Sequence, residues 1–342
     1  MIGGEFEIDL SLQREFVSQP DVYYYASGRT ALYQILRSLA PHHNKLWLPD
    51  WLCHTMVDAV EKAGFEYCFY ELDADFKSAI DALDKSGFKD GEAVLMINYF
   101  GLQDLTGISK SIKDAYPNAV VIEDDVQAYW VFSEKDNPFA DYRFTSLRKA
   151  LPVPDGGLIK TKRPMPLATG ENTFAPLKIK AGAMKFHRGE AGISDEDYLK
   201  LFKEGDKLIP ENYDSVMSPE SQRLFAATDL EKAKKQRQAN AAQLIAGLDE
   251  IGIKTMIPVS PDSAPLFVPI YLENRDEVRR RMFQHEIFCP VHWPLDGMSV
   301  KIGSDMAAHE LSLIVDQRYG VNEMEEILKY INSEDNGKDN NN

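Results

Sequence analysis

The chain has 342 residues, 44% of them hydrophobic, which is enough to fill a sizeable core in two domains or in one large α/β unit with an appendage. Acids outnumber bases by 54 to 38, a formal net charge of -16. That balance argues against nucleic acid as a partner, since phosphate neutralisation needs clustered Lys and Arg, and disfavours an anionic membrane surface.

Three cysteines, Cys53, Cys68 and Cys289, with no CxxC pair, argue against a disulfide framework or a structural zinc site. The opening MIGGEFEIDL has no basic stretch followed by an apolar run, so no signal peptide is visible. No apolar run approaches the ~20 residues that span a bilayer. A cytoplasmic protein is the expectation.

In chain order, residues 29–40 place Ala31, Leu32, Ile35, Leu36 and Leu39 on one helical face, just after a Ser27-Gly28 turn. KLWLP (45–49) reads as a short buried strand and HTMVDAVEKAG (54–64) as a helix stopped by Gly64. EYCFYELD (66–73) is strand-like, FKSAIDALDK (76–85) helical, and AVLMINYFG (93–101) an apolar strand. ISKSIKDAYP (108–117) is a helix ended by proline, and AVVIEDD (119–125) a strand that runs directly into acids. Strands alternating with helices signal βα units, a parallel sheet and helices on both faces. In such open sheets, ligands sit beyond the carboxyl ends of the strands.

From about 163 to 222 the pattern weakens and reads as loop and polar segment. Residues 229–252 then form one long amphipathic helix leading to a smaller domain. There, 264–272 and 285–294 are strand-like, NRDEVRRRMFQ lies between them as a helix, and 321–331 closes the chain as another. The basic residues 232–237 read as a solvated helix face. Tyr23, Tyr24 and Tyr25 read as packing residues, with a pocket entrance as the alternative. The expected organisation is a large α/β domain over 1–228, the long helix and a small α+β domain over 229–332, and a disordered polar tail over 333–342.

Three constellations carry candidate chemistry. Ser27, Gly28, Arg29 and Thr30 lie at a turn-to-helix junction, a natural phosphate seat, with a plain N-cap by Ser27 as the alternative. VVIEDDVQA delivers Glu123, Asp124 and Asp125 to a strand end, with Gln127 just after. Such acids can face a protonated ring nitrogen, a magnesium ion or a sugar hydroxyl, or simply water. No P-loop accompanies them, so an NTPase lacks its main part. SLRKALPVPDGG (146–157) sets Ser146 three residues before Lys149, then a proline-rich stretch and Gly156-Gly157. A Ser-Lys hydrolase would need SDN and KTG motifs, and ISDED and IKTK fit neither. The other use of such a lysine is covalent capture of an aldehyde. A phosphate seat, an acid at a strand end and a later lysine are together the requirements of pyridoxal 5'-phosphate (PLP).

At these residues the chain resembles the DegT/DnrJ/EryC1/StrS aminotransferases, the sugar-aminotransferase branch of the fold-type I PLP enzymes. SGRTAL resembles the family's phosphate-binding turn, INYFGLQDL its strand ending in Phe-Gly, and VIEDDVQA its acid motif. KALPVPDGG has its lysine-to-Gly-Gly spacing, and LSLIVDQRY resembles a closing segment. The resemblance implies an aspartate-aminotransferase-like α/β fold with a mostly parallel central sheet. It implies Lys149 as the covalent lysine and proton shuttle, Asp124 on the pyridine nitrogen, and Gln127 near the ring hydroxyl. Ser27, Gly28, Arg29, Thr30 and Ser146 would hold phosphate.

The chain departs from the pattern at named places. Phe144 stands where the family has serine, five residues before the lysine, and Arg29 where it has threonine. Cys53 takes the place of the aromatic that covers the ring, which leaves Trp51 and His54 as neighbouring candidates. The family's Asn-x-Arg segment has no clean counterpart near DSVMSPESQR. His292-Trp293 would approach the substrate or pack at an edge of the small domain.

The implied activity is amino transfer from glutamate or glutamine to a keto sugar, in nucleotide-linked form, by a homodimer with shared active sites. The alternatives are a non-catalytic or PLP-binding relative and a PLP-dependent sugar dehydratase. In the dehydratase branch histidine replaces the lysine, so Lys149 counts against it.

Overall fold

The computed structural model describes residues 1–72, 80–189, 192–293 and 301–332, with backbone alone at 301–304. The tail expected over 333–342 and the first residues of the helix expected over 76–85 lie outside the described residues.

The first part of the chain runs β1 (Val22–Tyr25), α1 (Gly28–Leu39), β2 (Lys45–Pro49), α2 (His54–Lys62), β3 (Glu66–Tyr70), α3 (Ile80–Ser86), β4 (Ala93–Ile97), α4 (Thr106–Ala115), β5 (Val120–Asp124), α5 (Tyr129–Glu134), β6 (Tyr142–Ser146), the single turn α6 (Leu147–Ala150) and β7 (Gly157–Lys160). The strands form one sheet in the order β1-β7-β6-β5-β4-β2-β3. The pairs β3/β2, β2/β4, β4/β5 and β5/β6 are parallel, and β7 alone runs against its neighbours β6 and β1. Every residue of β4, β5 and β6 is buried, as expected of strands covered on both faces. The expected mostly parallel α/β sheet flanked by helices is what the chain builds.

The weakly patterned region holds three helices that the sequence reading passed over: α7 (Ala175–Phe186), α8 (Asp195–Leu208) and α9 (Pro219–Ala227). The apolar faces of α7 and α8 are short because these two pack mainly on one another, while α9 sends Leu224 into a core with Leu147 and Leu158. In α8 the buried residues are Tyr198, Phe202 and Gly205 alone. Local signals were nevertheless present. Ser194 and Asp197 form a capping box, and Ser218 caps α9 with Pro219 at its first position.

The long helix α10 (Leu230–Glu250) leads to β8 (Phe267–Tyr271), α11 (Arg275–Gln284), α12 (Lys301–His309), β9 (Glu310–Ile314) and α13 (Val321–Asn332). The strand expected over 285–294 does not form among the described residues. Its backbone makes one isolated bridge, Ile287 to Ile2; Glu286 has a positive φ of 56° and Pro290 has no N–H to donate. The partner of β8 is instead β9, antiparallel, from the segment LSLIV. A compact core of Leu244, Val268, Ile270, Met282, Leu313 and Ile327 joins this ribbon to α10, α11 and α13, and Ile2 from the chain start enters it.

In the basic stretch of α10, Lys232 and Lys235 are exposed as expected, and Arg237 is the exception. Arg237 is wholly buried, and its guanidinium donates to the Gln317 side chain and to the carbonyls of Pro265, Leu266 and Ala150 at 2.8–3.2 Å. The three tyrosines form the edge strand β1, with the Tyr25 hydroxyl donating to Pro166 O at 2.8 Å. No described helix is long and apolar enough to cross a membrane.

Beside the sheet end lies a buried charge cluster. Arg143 Nη2 sits 2.7 Å from Asp125 and 3.2 Å from Glu123, all three almost fully shielded from solvent. Burial, then the neighbouring Glu123, push the Asp125 carboxyl well above its ordinary range. One cation thus serves two acids. Arg143→Met is expected to cost about 3–5 kcal/mol at neutral pH, because it strands both carboxylates. In urea unfolding the loss should shrink as pH falls and Asp125, whose carboxyl burial pushes upward, takes up a proton.

Candidate active site

The site forms where α1 starts and where β5 and β6 end. A cavity of about 400 Å³ opens there, lined among others by Ser27, Gly28, Arg29, Asp124, Gln127, Ser146 and Lys149. The structure therefore brings together seven of the ten residues singled out from sequence.

Hydrogen-bond bookkeeping at α1 separates capping from binding. Ser27 Oγ accepts from Thr30 N at 3.1 Å and lies 2.9 Å from Thr30 Oγ1. Thr30 Oγ1 in turn donates to Asn212 O at 2.8 Å. Thr30 has a single hydroxyl proton, so Ser27 must donate its own to Thr30. Both side chains are thereby committed, and Thr30 does not line the cavity. An N-cap of this kind contributes about 1 kcal/mol. The groups left facing the cavity are those of the first turn: the Gly28 and Arg29 N–H groups, which an α-helix leaves without intrahelical partners. Ser146 Oγ has no hydrogen-bond partner among the described residues and lies 3.8 Å from where a Gly28 Cβ would be. Arg29 adds a guanidinium beside Tyr213 whose Nη1 is buried without a hydrogen-bond partner.

Two glycines make this approach possible. A Cβ on Gly28 would stand 3.0 Å from Val126 and 3.2 Å from Ser146. A Cβ on Gly157 would stand 2.0 Å from Ser27 O, a direct overlap with backbone. The second glycine of PVPDGG thus lets β7 press against the Ser27-Gly28 turn.

Asp124 ends β5 and is almost fully buried. Its Oδ1 accepts from Val126 N at 2.8 Å, while Oδ2 has no hydrogen-bond partner among the described residues. Burial raises the carboxyl to about 7, against a smaller lowering by the Val126 hydrogen bond. Such a group wants a cation or a donor opposite it. Gln127 accepts from Phe100 N at 3.0 Å through Oε1, which leaves its Nε2 for the cavity.

Lys149 lies in the single helical turn α6 that follows β6. Its side chain is exposed, lining the cavity rather than packed. Desolvation first, then the neighbouring Arg148, lower its affinity for a proton, against the opposing pull of Cys53, Glu5 and Asp206. A lowered amine is the nucleophilic form at neutral pH. The backbone around it is clamped. Leu147 N donates to Gly156 O at 2.9 Å, and Ala150 O accepts from Gln317 at 2.9 Å and Arg237 at 3.2 Å. Asp155 is buried and accepts from Ser218 N and Oγ at 2.8 Å and from the Ser221 and Asn172 side chains.

The two aromatic candidates near Cys53 are placed elsewhere. Trp51 is fully buried and stacks on Tyr99, 5.0 Å between centroids at 15°. His54 is exposed and pairs with Asp58 at 3.3 Å. The periodicity of α2 explains this: it turns Cys53, Thr55 and Met56 to the cavity and His54 outward. His292 and Trp293 do reach the cavity, together with Phe267 and Phe144. Sequence reasoning missed Asp206 and Ile209, which come from the end of α8 and the turn after it. Asp206 pairs with the buried Lys178 at 2.7 Å. The capping box at Ser194 was the available signal for that helix. Among the described residues no group of three or more His, Cys, Asp or Glu could hold a metal ion.

No protein-family model matches the chain, and no curated protein does. Solved structures do. A DegT/DnrJ/EryC1/StrS aminotransferase of Brucella abortus superposes with a TM-score of 0.62 at 17% identity, covering 93% of this chain and 91% of its own. Spr1654 of Streptococcus pneumoniae, described as a sugar aminotransferase and solved in its PLP form, gives 0.67 at 14%, over 96% and 91%. DesI, solved in the presence of its TDP-sugar product, gives 0.64 at 14%, over 91% and 79%. The chain has the fold of the DegT/DnrJ/EryC1/StrS aminotransferases.

Proposed function

We propose that the chain is a PLP-dependent aminotransferase that moves an amino group from an amino acid, glutamate or glutamine, to a keto sugar. The observation that carries this reading is the meeting of Lys149, Asp124 and the α1 seat on one cavity. The residues fit the cofactor at three points. The Gly28 and Arg29 N–H groups, the Ser146 hydroxyl and the Arg29 guanidinium suit a phosphate. The Oδ2 of Asp124 suits a protonated ring nitrogen, and Gln127 Nε2 suits a ring hydroxyl.

When bound, the cofactor supplies an electron sink for the carbanion formed next to the transferred nitrogen. The chain's residues supply the rest. Asp124, buried and with its Oδ2 free of other donors among the described residues, would keep the ring nitrogen's proton in place by charge attraction. Lys149 Nζ would take up the proton lost from the donor's α-carbon and give it back on the far side of the transferred nitrogen. The clamp on Ala150 and Asp155 limits the backbone freedom of that amine, which is how positioning lowers a barrier.

The nucleotide-linked acceptor is supported by DesI, a protein of this fold solved with a TDP-sugar product. A cytoplasmic homodimer with shared sites completes the proposal. A ligand-binding relative is the second reading, favoured by the absence of an aromatic at Cys53 and Met56.

One experiment separates the two. Purified protein mixed with PLP should show a visible absorbance band that L-glutamate or L-glutamine converts to the amine form of the cofactor. Lys149→Ala should lose the band and nearly all turnover. Full turnover in that variant, or no conversion by any amino acid in the wild type, would overturn the aminotransferase reading.

Asp124 gives a second, activity-independent prediction. Its carboxyl is raised from 3.8 to about 7 in the folded chain. Below pH 3.8 both states are protonated and burial carries no penalty. Between 3.8 and 7 the unfolded chain ionises first, so stability falls as pH rises, and above 7 the penalty is constant. Cofactor-free wild type should therefore lose stability between pH 5 and 8 relative to Asp124→Asn, by on the order of a few kcal/mol. Thermal unfolding at the two pH values measures this. Added PLP should restore the wild type more than the variant.

A further inference from the structure

A second cavity, of about 390 Å³, adjoins the first and shares Arg148, Lys149, Phe267 and Pro290 with it. None of Ser27, Gly28 or Ser146 lines it, so it lies away from the phosphate seat. Its other walls are the chain start, Gly3–Phe6, and the smaller lobe, through Phe288 and Ile314. The strap is close against that lobe: a Cβ on Gly3 would stand 2.9 Å from Ile314 Cδ1 and 3.1 Å from Phe288 O.

In a protein with a net charge of -16, this chamber is lined by three arginines, Arg148, Arg237 and Arg318, by the Lys149 amine, and by two acids, Glu5 and Asp316. A concave positive patch of this kind concentrates anions. Two of its arginines are already engaged. Arg237 holds four protein acceptors. Arg318 donates to Asp316 at 2.7 and 2.9 Å and to the carbonyls of Gly4 and Glu5. Arg148 differs. Its one ion pair, with Glu5, is 3.7 Å long, beyond hydrogen-bond range, and its guanidinium makes no hydrogen bond among the described residues. Its side chain is 19% exposed, and both cavities reach it. A planar fork of N–H donors thus stands open beside the reactive lysine, matched to a carboxylate.

We infer that the second chamber is the seat of the amino-acid donor, with the Arg148 guanidinium anchoring its carboxylate. The inference rests on the aminotransferase reading for the identity of the ligand. The phosphate is excluded as the occupant by its separate seat. A nucleotide-linked keto sugar carries its diphosphate on the anomeric carbon, away from the ketone, whereas an α-amino acid carries a carboxylate on the very carbon that Lys149 must reach. The apolar faces of Phe267, Phe288 and Ile314 suit the donor's methylene chain.

The test uses the PLP-loaded protein and two ligands, L-glutamate as the reactive donor and glutarate as an unreactive dicarboxylate. Arg148→Gln should raise the KM for L-glutamate and weaken glutarate binding, read calorimetrically, by roughly 10- to 100-fold, the effect of losing hydrogen bonds to a charged group. PLP affinity should stay within about threefold of the wild type if the anchor serves the donor and not the phosphate. Arg148→Lys, which keeps the charge without the fork, should fall between, and it carries the test should the glutamine variant fail to fold. Unchanged glutarate affinity in both variants overturns the inference, as does a parallel loss of PLP affinity, which would assign Arg148 to the phosphate. If glutarate binds through Arg148 but no amino acid converts the cofactor, the carboxylate seat stands and the aminotransferase reading fails.

Discussion

The architecture turns on how firmly the segment 146–157 is held. Four separate parts of the chain grip it. The Ser27-Gly28 turn lies against Gly157, α9 caps itself on Asp155, and Arg237 and Gln317 share the Ala150 carbonyl. Each contact comes from a different stretch of sequence, so the position of the Lys149 amine is set by the tertiary fold rather than by its own turn of helix. A single turn of four residues has almost no stability of its own. The prolines at 152 and 154 narrow the local freedom, but the external hydrogen bonds decide where the amine points.

The charge pattern follows from the same place. Buried ionisable groups are costly unless paired, and this chain pairs most of them completely. Arg143 answers Glu123 and Asp125, and Arg318 answers Asp316. Incomplete groups gather at the cavity: Asp124 with one backbone donor, Arg29 with a buried bare nitrogen, Lys149 with none of its partners at hydrogen-bond distance; away from it, Arg143 also keeps one bare nitrogen, its Nε. That gathering fits the site proposed above. It also explains why the acid triplet 123–125 divides by function, with the middle residue facing the cavity and its neighbours facing the sheet's other side.

Much of this was legible in the sequence because strand ends and turns are local. The alternation of elements up to 125, the acid at the end of β5, the turn before α1 and the lysine before Gly-Gly each depend on a few adjacent residues. What escaped was decided at a distance. Thr30 sits within the phosphate-binding motif yet bonds to Asn212, and nothing near residue 30 signals that. Trp51 is the obvious aromatic, but Tyr99 claims its face. Arg237 sits in a run of basic residues that looks solvated, and only the path of the chain through 150, 265 and 317 shows it to be enclosed. The strand at 310–314 was read merely as part of a closing segment, since five residues give too short a pattern to choose between partners.

The grip of Arg237 has a mechanical corollary. The helix that bears it packs with the β8-β9 ribbon, while one of its acceptors, Ala150 O, is adjacent to the reactive amine. A shift of that helix would be carried through this hydrogen bond to the peptide next to Lys149, so a molecule pressing on the helix would be felt there without touching the lysine.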